Sequence, residues 1–283
     1  MIELNAGNMR AEFAPEFGGA VLSLRHDGCN ILRPAASLKA VASDPREAAC
    51  FPCVPWFSRI SDGFDFDGRH HTLAPTLPVC DPEHALHGHG WVNNWKVTSQ
   101  TSDQLQCRYD HDPTAGVYPF AFSAFQDFTL TEQSLSITLS LKNTGASQMP
   151  VGLGLHPFFP RSSETRLQFA ADQLWSSDAQ TGRWRESPKP EPLNFNGGSP
   201  LPAAGADFSY IGWRGGADIR QSSSCMRLSS NAPFAHLYAP AKTGFFCLEP
   251  ITQLPLRFGE KTLSPGETMM LNMTISVDEQ SEI

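Results

Sequence analysis

Short stretches of alternating apolar and polar residues, punctuated by Gly, Pro, Asn and Asp, recur from one end of this chain to the other. No segment sustains a 3.6-residue apolar period, so the pattern predicts an all-β fold. The clearest strand is residues 135–141, where Leu135, Ile137, Leu139 and Leu141 alternate with Ser136, Thr138 and Ser140, giving one face for a core and one for water. Residues 20–25 form another, ending at the turn-prone Asp27-Gly28. Residues 64–66 and 69–73 flank Asp67-Gly68, the two-residue turn that matches strand twist best, and predict a hairpin. Further strands are expected at 120–125, 235–238 and 269–277. The Ser- and Pro-rich stretch 186–202 reads as a surface excursion, because β patterning resumes on both sides of it. So many strands with so few helices must bury sheet faces against each other or close a barrel. The predicted fold is a large, mostly antiparallel β-sandwich, with residues 1–283 as a single domain.

One alternating run stands apart. In VGLGLHP, Val151, Leu153 and Leu155 share a face, and Gly152, Gly154 and His156 share the other. Glycines inside a strand mark places where a ligand or another backbone comes close, so the His156 face is a candidate floor for a binding site. Pro157 removes a backbone donor, and the strand is expected to stop there with His156 at its rim. Asn143-Thr144-Gly145 turns the chain just before, which predicts that 135–141 and the His156 strand are antiparallel neighbours. By pattern alone His156 is either a satisfied core histidine or a functional one.

Composition narrows the partners. With 40% hydrophobic and 18% charged residues in 283, the chain can bury a core without staples. Its 21 Lys and Arg against 29 Asp and Glu give a formal charge of -8 with no dense basic run, which argues against nucleic acid. The first residues lack a basic segment followed by an apolar one, and no later run is long enough to span a bilayer. A cytoplasmic location, away from membranes, is expected. Seven cysteines, an odd number, do not suggest a disulfide framework. Cys50 and Cys53 make a CxxC spacing with no second pair and no βαβ context; buried or semi-buried free thiols are expected.

Four polar clusters could carry chemistry. Arg59 sits among aromatic and apolar residues in PWFSRI, either packed along its stem or offering a fixed fork of donors. His84, His87 and His89 crowd a glycine-rich loop that ends in Trp91. Three imidazoles raise metal binding, but no carboxylate or cysteine pair lies nearby. Imidazole beside an indole also suits a sugar, one bonding hydroxyls and the other covering the C–H face. His156 is the third cluster. Glu249, at the end of the apolar run FFCLEP, is the fourth; burial would raise its pKa and make it a proton-transfer group near neutrality, and the alternative is a salt-bridged or rim glutamate.

Taken together and in order, GGAVLSLRHDG, FPCVPWFSRISDGFDFDGRHHTL, HALHGHGW, GLGLHPFF, DFSYIGW, LEPIT and LSPGET resemble the aldose 1-epimerase (galactose mutarotase-like) family over nearly the whole chain. The resemblance implies the family's sandwich fold and an enzyme that interconverts the α and β anomers of a free aldose by acid–base ring opening and closure. Glu249 would be the base that removes the anomeric hydroxyl proton, and His156 the acid that protonates the ring oxygen. Arg59, His87 and Asp207 would hold hydroxyls, with Trp91 beside them. No cofactor or metal is implied, and the protein would be a monomer or homodimer acting on a small-molecule sugar. Ser58 stands where the family usually has asparagine, and HGHGW replaces the HGG of the galactose-specific branch, so galactose is in doubt as substrate.

The rivals are a hexose-6-phosphate 1-epimerase, a non-catalytic sugar-binding protein of the same fold, and a glycoside hydrolase or lyase. The first needs extra cations at the far end of the sugar, for which Arg69, Arg214 and Arg220 are available. The second has no need of both Glu249 and His156. The third usually needs a second carboxylate, and no motif supplies one.

Overall fold

The computed structural model describes residues 1–113, 117–177, 184–222 and 224–277, and nearly every element in it is an antiparallel strand. Nine strands position the site or its support: β1 (Ala20–His26), β2 (Cys50–Cys53), β3 (Phe122–Leu130), β4 (Ser134–Asn143), β5 (Gly154–Pro160), β6 (Ala206–Ile211), β7 (Phe234–Ala239), β8 (Phe245–Ile251) and β9 (Thr268–Val277). Among the described residues they fall into an eleven-stranded sheet, whose middle runs β1–β2–β5–β8–β7–β6, and a nine-stranded sheet containing β3–β4–β9. The two sheets pack over one large apolar core, the sandwich that the alternation predicts.

Strand β4 shows how the pattern builds that core. Leu135, Ile137, Leu139 and Leu141 are fully buried and lie opposite Ile275, Met273, Leu271 and Met269 of β9. Each such side chain contributes about 1.5–3 kcal/mol when withdrawn from water. The hairpin of Phe64–Phe66 with Arg69–His71 forms as expected, and its Asp67 and Gly68 both have positive φ, 51° and 69°, as the twist-matched turn demands.

The structure corrects four expectations. First, β4 and the His156 strand are not neighbours: β4 pairs with β3 and β9, while β5 lies between β2 and β8 in the facing sheet. After the Asn143 turn the chain crosses the sandwich instead of folding back beside itself. Second, β5 does not end at Pro157 but runs on to Pro160, so His156 is central. Pro157 is tolerated because the ladder between β5 and β8 is already interrupted there: its registered pairs are Gly154 with Ile251 and then Phe158 with Cys247. In that gap Pro157 faces Leu248 and Pro250 faces Leu155, two positions with no N–H to give. Third, the stretch 186–202 is not all surface, because Phe195 is fully buried and stacks on Phe169 at 5.2 Å. Fourth, the cysteines are all free, and most are buried or half-buried, but Cys29 is exposed.

The middle of the eleven-stranded sheet is covered on its outer face too. A smaller cluster that includes Phe51, Phe57, Leu86, Trp91, Phe158, Cys247 and Ile251 packs there, roofed by the paired segments Arg59–Ser61 and His84–Leu86. Strands buried on both faces read as near-continuous apolar runs, as CFPC and FFCLEPI do. A cavity of about 400 Å³ lies in this second layer, within the roughly 300–1,000 Å³ range of small-molecule sites.

Candidate active site

The register of four strands lines up the floor of the cavity. Phe51 of β2 pairs with His156 of β5, and the β5–β8 register sets His156 opposite Glu249. Glu249 pairs with His236 of β7, which in turn pairs with Ser209 of β6. One row of the sheet therefore reads Phe51, His156, Glu249, His236, Ser209. Two residues along on the same face runs Phe158, Cys247, Tyr238, Asp207. The period of two in each strand puts every one of these side chains on the cavity side.

His156 Nε2 lies 3.5 Å from Glu249 Oε1, with both side chains nearly sealed from solvent. The other polar atoms of the pair, His156 Nδ1 and Glu249 Oε2, are buried with no partner. Burial pushes the Glu249 carboxyl well above its usual range, and the negative charge of Asp207 adds to the effect. Burial lowers the His156 imidazole, and the cations that His87 and His236 can become lower it further. A low-dielectric site disfavours separated charge, so burial favours a neutral acid beside a neutral imidazole.

His87 lies on the wall, in a left-handed backbone conformation with φ of 54°. Its N–H donates to Ser58 O at 3.0 Å, and Ser58 N–H donates back to its Nδ1 at 3.2 Å. A ring that accepts at Nδ1 and is held neutral by burial, with its pKa pushed down to about 3, carries its proton on Nε2 and can offer that donor to a ligand. Arg59 is half-exposed at the mouth, where its Nε donates to Asp81 Oδ2 at 2.7 Å. Although burial opposes it, the bonds from Arg59 and His84 hold Asp81 down to about 2. Asp207 Oδ1 is 3.1 Å from His236 Nε2, and His236 Nδ1 is 2.9 Å from Ser209 Oγ. Against the pull of burial, the His236 contact keeps Asp207 ionised below its usual range.

The cavity thus gathers Glu249, His156, Arg59, His87 and Asp207, five of the six site residues expected from the sequence. Trp91 is the exception. It is fully buried behind the wall, with Nε1 donating to Leu86 O and Gly88 O, and it props the ring of Phe51 at 5.1 Å and the edge of His87 at 5.7 Å. The aromatic surface facing the cavity comes instead from Phe51, Phe57, Phe158, Tyr238 and Phe245. The two glycines are a second correction. A Cβ on Gly152 would meet Gln253 Oε1 at 2.3 Å, and one on Gly154 would meet Phe57 Cδ2 at 3.0 Å. Protein side chains fill the space the glycines leave.

The three loop histidines diverge. Contrary to expectation a carboxylate does lie beside them, since His84 binds Asp81 at 2.8 Å, but His87 faces the cavity and His89 turns to the far side to stack on His111 at 5.5 Å. Asp207, carried by the DFSYIGW stretch, puts a second carboxylate in the cavity with Glu249, the one that the rival hydrolase reading had been denied. Sequence reasoning missed His236, although the alternation Phe234, His236, Tyr238 already placed it on the face of Glu249's neighbours. It missed Arg33 as well, whose guanidinium lies 4.1 Å over the Phe158 ring on the cavity wall. Among the described residues, the one group that could hold a metal ion is His156, Cys247 and Glu249.

A family profile described as Aldose 1-epimerase matches residues 1–276. The Escherichia coli (strain K12) protein YphB, itself uncharacterised, is 34% identical over 295 residues, covering 97% of this chain and 98% of its own. A crystal structure from Escherichia coli K12, provisionally named an aldose 1-epimerase, has a TM-score of 0.86 at 30% identity over 98% of each chain. A galactose mutarotase-like protein from Clostridium acetobutylicum reaches 0.82 at 18% identity, over 98% of this chain and 95% of its own, a likeness of fold alone.

Proposed function

The chain belongs to the aldose 1-epimerase family, and from that premise we propose that it interconverts the α and β anomers of an aldose by acid–base ring opening and closure. The support is the buried pair: His156 and Glu249 stand 3.5 Å apart at the floor of a sugar-sized cavity, each with an unpartnered polar atom.

Glu249 takes the proton of the anomeric hydroxyl while His156 delivers one to the ring oxygen. The C1–O5 bond breaks, the aldehyde rotates about C1–C2, and the reverse transfers close the ring on the other face. No proton is gained or lost, so the pair holds one throughout. Burial by itself favours that proton on Glu249, because it favours the neutral forms. A hydroxyl donating to Glu249 Oε2 favours the carboxylate, since hydrogen bonds to a charged form stabilise it. The proton then moves to His156, and the pair is armed by its substrate. Arg59 and the His87 Nε2–H donate to sugar oxygens, the Asp207 carboxylate accepts from a hydroxyl, and Phe57 and Phe158 cover C–H faces.

A phosphorylated aldose is the second reading, favoured by Arg33. It lines the cavity and has no carboxylate within ion-pair distance among the described residues. The arginines expected for this role are elsewhere: Arg214 binds Asp172 at 2.7 Å, and neither Arg69 nor Arg220 lines the cavity.

The test is polarimetry or NMR of freshly dissolved α-aldoses, free and 6-phosphorylated, with wild type and Glu249→Gln. Wild type accelerates equilibration of at least one aldose, and the variant loses about 10²–10⁴-fold, the usual worth of a positioned acid or base. Equal rates for the two proteins across the panel overturn the proposal. Mutual competition ranks the free against the phosphorylated sugar.

A further inference from the structure

We propose that His156, Cys247 and Glu249 form a binding site for a thiophilic divalent cation, best matched by Zn²⁺, and that its occupation blocks the proton-transfer pair. The blocking clause rests on the function proposed above; the binding clause does not.

Cys247 and Glu249 are residues i and i+2 of β8, on one face, and His156 is opposite Glu249 on β5. Such a corner of a sheet aims three side chains at one point. Their candidate ligand atoms all lie within 4.8 Å of one another, and all three residues are buried. Zn–N and Zn–O bonds of about 2.0–2.1 Å at a tetrahedral angle set N and O roughly 3.3 Å apart. His156 Nε2 and Glu249 Oε1 are already at 3.5 Å. The Cys247 thiol is the third member, within 4.8 Å of both.

One observation points to a ligand: Glu249 Oε2, on the carboxylate whose Oε1 faces His156 Nε2, is a buried polar atom with no partner among the described residues. The Cys247 thiol beside the pair has no part in the proton transfer. Thiolate, imidazole and carboxylate together select zinc over magnesium or calcium, which prefer all-oxygen shells. The charges also balance: a dication with one thiolate and one carboxylate is neutral, which a buried site tolerates. Binding expels two protons, one from the Cys247 thiol and the one that the pair shares, so affinity rises with pH. Three protein ligands leave a fourth position open, and His156 and Glu249, though not Cys247, line the cavity from which an ion would come.

The experiment uses the full chain with exposed Cys29 replaced by Ser, stripped of metal. ZnSO₄ is titrated against a chromophoric chelator, and Co²⁺ in parallel to read a thiolate charge-transfer band in the near ultraviolet. One Zn²⁺ per chain, a Co²⁺ thiolate band, and at least tenfold weaker binding in Cys247→Ser and in Glu249→Gln are expected. The Co²⁺ band and its loss in Glu249→Gln are both read on chains with Cys247 intact, so together they decide even where Cys247→Ser fails to fold. No Zn²⁺ binding tighter than about 1 mM, Co²⁺ bound without the band, or undiminished affinity in Cys247→Ser overturns the site. Zn²⁺ bound with the anomerisation rate unchanged overturns the blocking role, each protein being compared with its own metal-free rate. None of the binding measurements depends on turnover, so a failure of the enzymatic reading is told apart from a failure of this one.

Discussion

At the residue scale the chemistry turns on one shared proton. Gaining a second proton is governed by His156, lowered by burial; losing the shared one is governed by Glu249, raised by burial. The two shifts move apart, so the one-proton form spans neutrality, and kcat/KM should fall on the acid side only well below pH 6.5. A limb at an ordinary histidine value would contradict the neutral pair. The same burial sets a sign for stability. The fold holds Glu249 as the acid, whereas the unfolded chain ionises it in the ordinary carboxylate range, so unfolding releases a proton and stability drops as pH climbs through that window toward the raised folded value. Glu249→Gln removes the linkage. Its melting temperature should gain on wild type between pH 5 and pH 8, by about 2–4 °C for each kcal/mol at this chain length. A pH-independent difference would refute it. Glu249, His156, Arg59, His87 and Asp207, which line one cavity, stood out as candidates in the sequence because each sits in a motif stretch with turn or apolar signals around it. His236 and Arg33 sit in no such stretch: strand register sets His236 beside Glu249, and a loop carries Arg33 onto the Phe158 ring at the cavity wall. Trp91 misled because a tryptophan beside histidine and glycine looks the same in sequence whether it covers a ligand or holds the wall behind it.

At the element scale the local signals were sound and the long-range ones were not. Asp-Gly turns and period-two alternation are written within a few residues, so the hairpin at Asp67-Gly68 and strand β4 could be read directly. Which sheet β5 joins depends on partners almost a hundred residues away in both directions, Cys50–Cys53 and Phe245–Ile251, and no local pattern carries that. Gly154, the first residue of β5, and Gly152 just before it were correctly singled out but for the wrong occupant. Gly152 makes room for Gln253, whose Oε1 accepts from Phe57 N–H at 3.2 Å, and Gly154 makes room for the Phe57 ring itself. Both glycines therefore set the position of one cavity wall. Gly152→Ala should cost about 1–3 kcal/mol by overpacking and raise KM more than it lowers kcat, because Phe57 moves while the proton pair stays. Thermal unfolding with steady-state kinetics measures both. Unchanged stability and KM would restore an open cleft beside the glycines.

At the scale of the whole molecule, the sheet that carries the site belongs to two apolar layers at once. Leu155 and Phe159 of β5 point into the large core between the sheets, while His156 and Phe158 of the same strand point into the outer layer. Strands β8 and β7 divide in the same way: Leu248 and Leu237 face the core, Cys247 and Tyr238 the outer layer. A strand cannot release one face and keep the other ordered, because both hang on one hydrogen-bonded ladder. The site layer should therefore not melt ahead of the sandwich, and residues 1–277 should unfold as the single cooperative unit that the sequence led us to expect. Tryptophan fluorescence reports both layers, since Trp91 lies in the outer cluster and Trp56 in the large core, and far-ultraviolet circular dichroism reports the ladders. Coincident thermal or urea transitions by the two probes are the expected result. Trp91→Ala should lower the shared midpoint by about 3–5 kcal/mol without splitting it, as a large buried aromatic does when its cavity cannot collapse. An early fluorescence transition with the circular dichroism intact would instead make the outer layer a separable lid on a sandwich that stands without it.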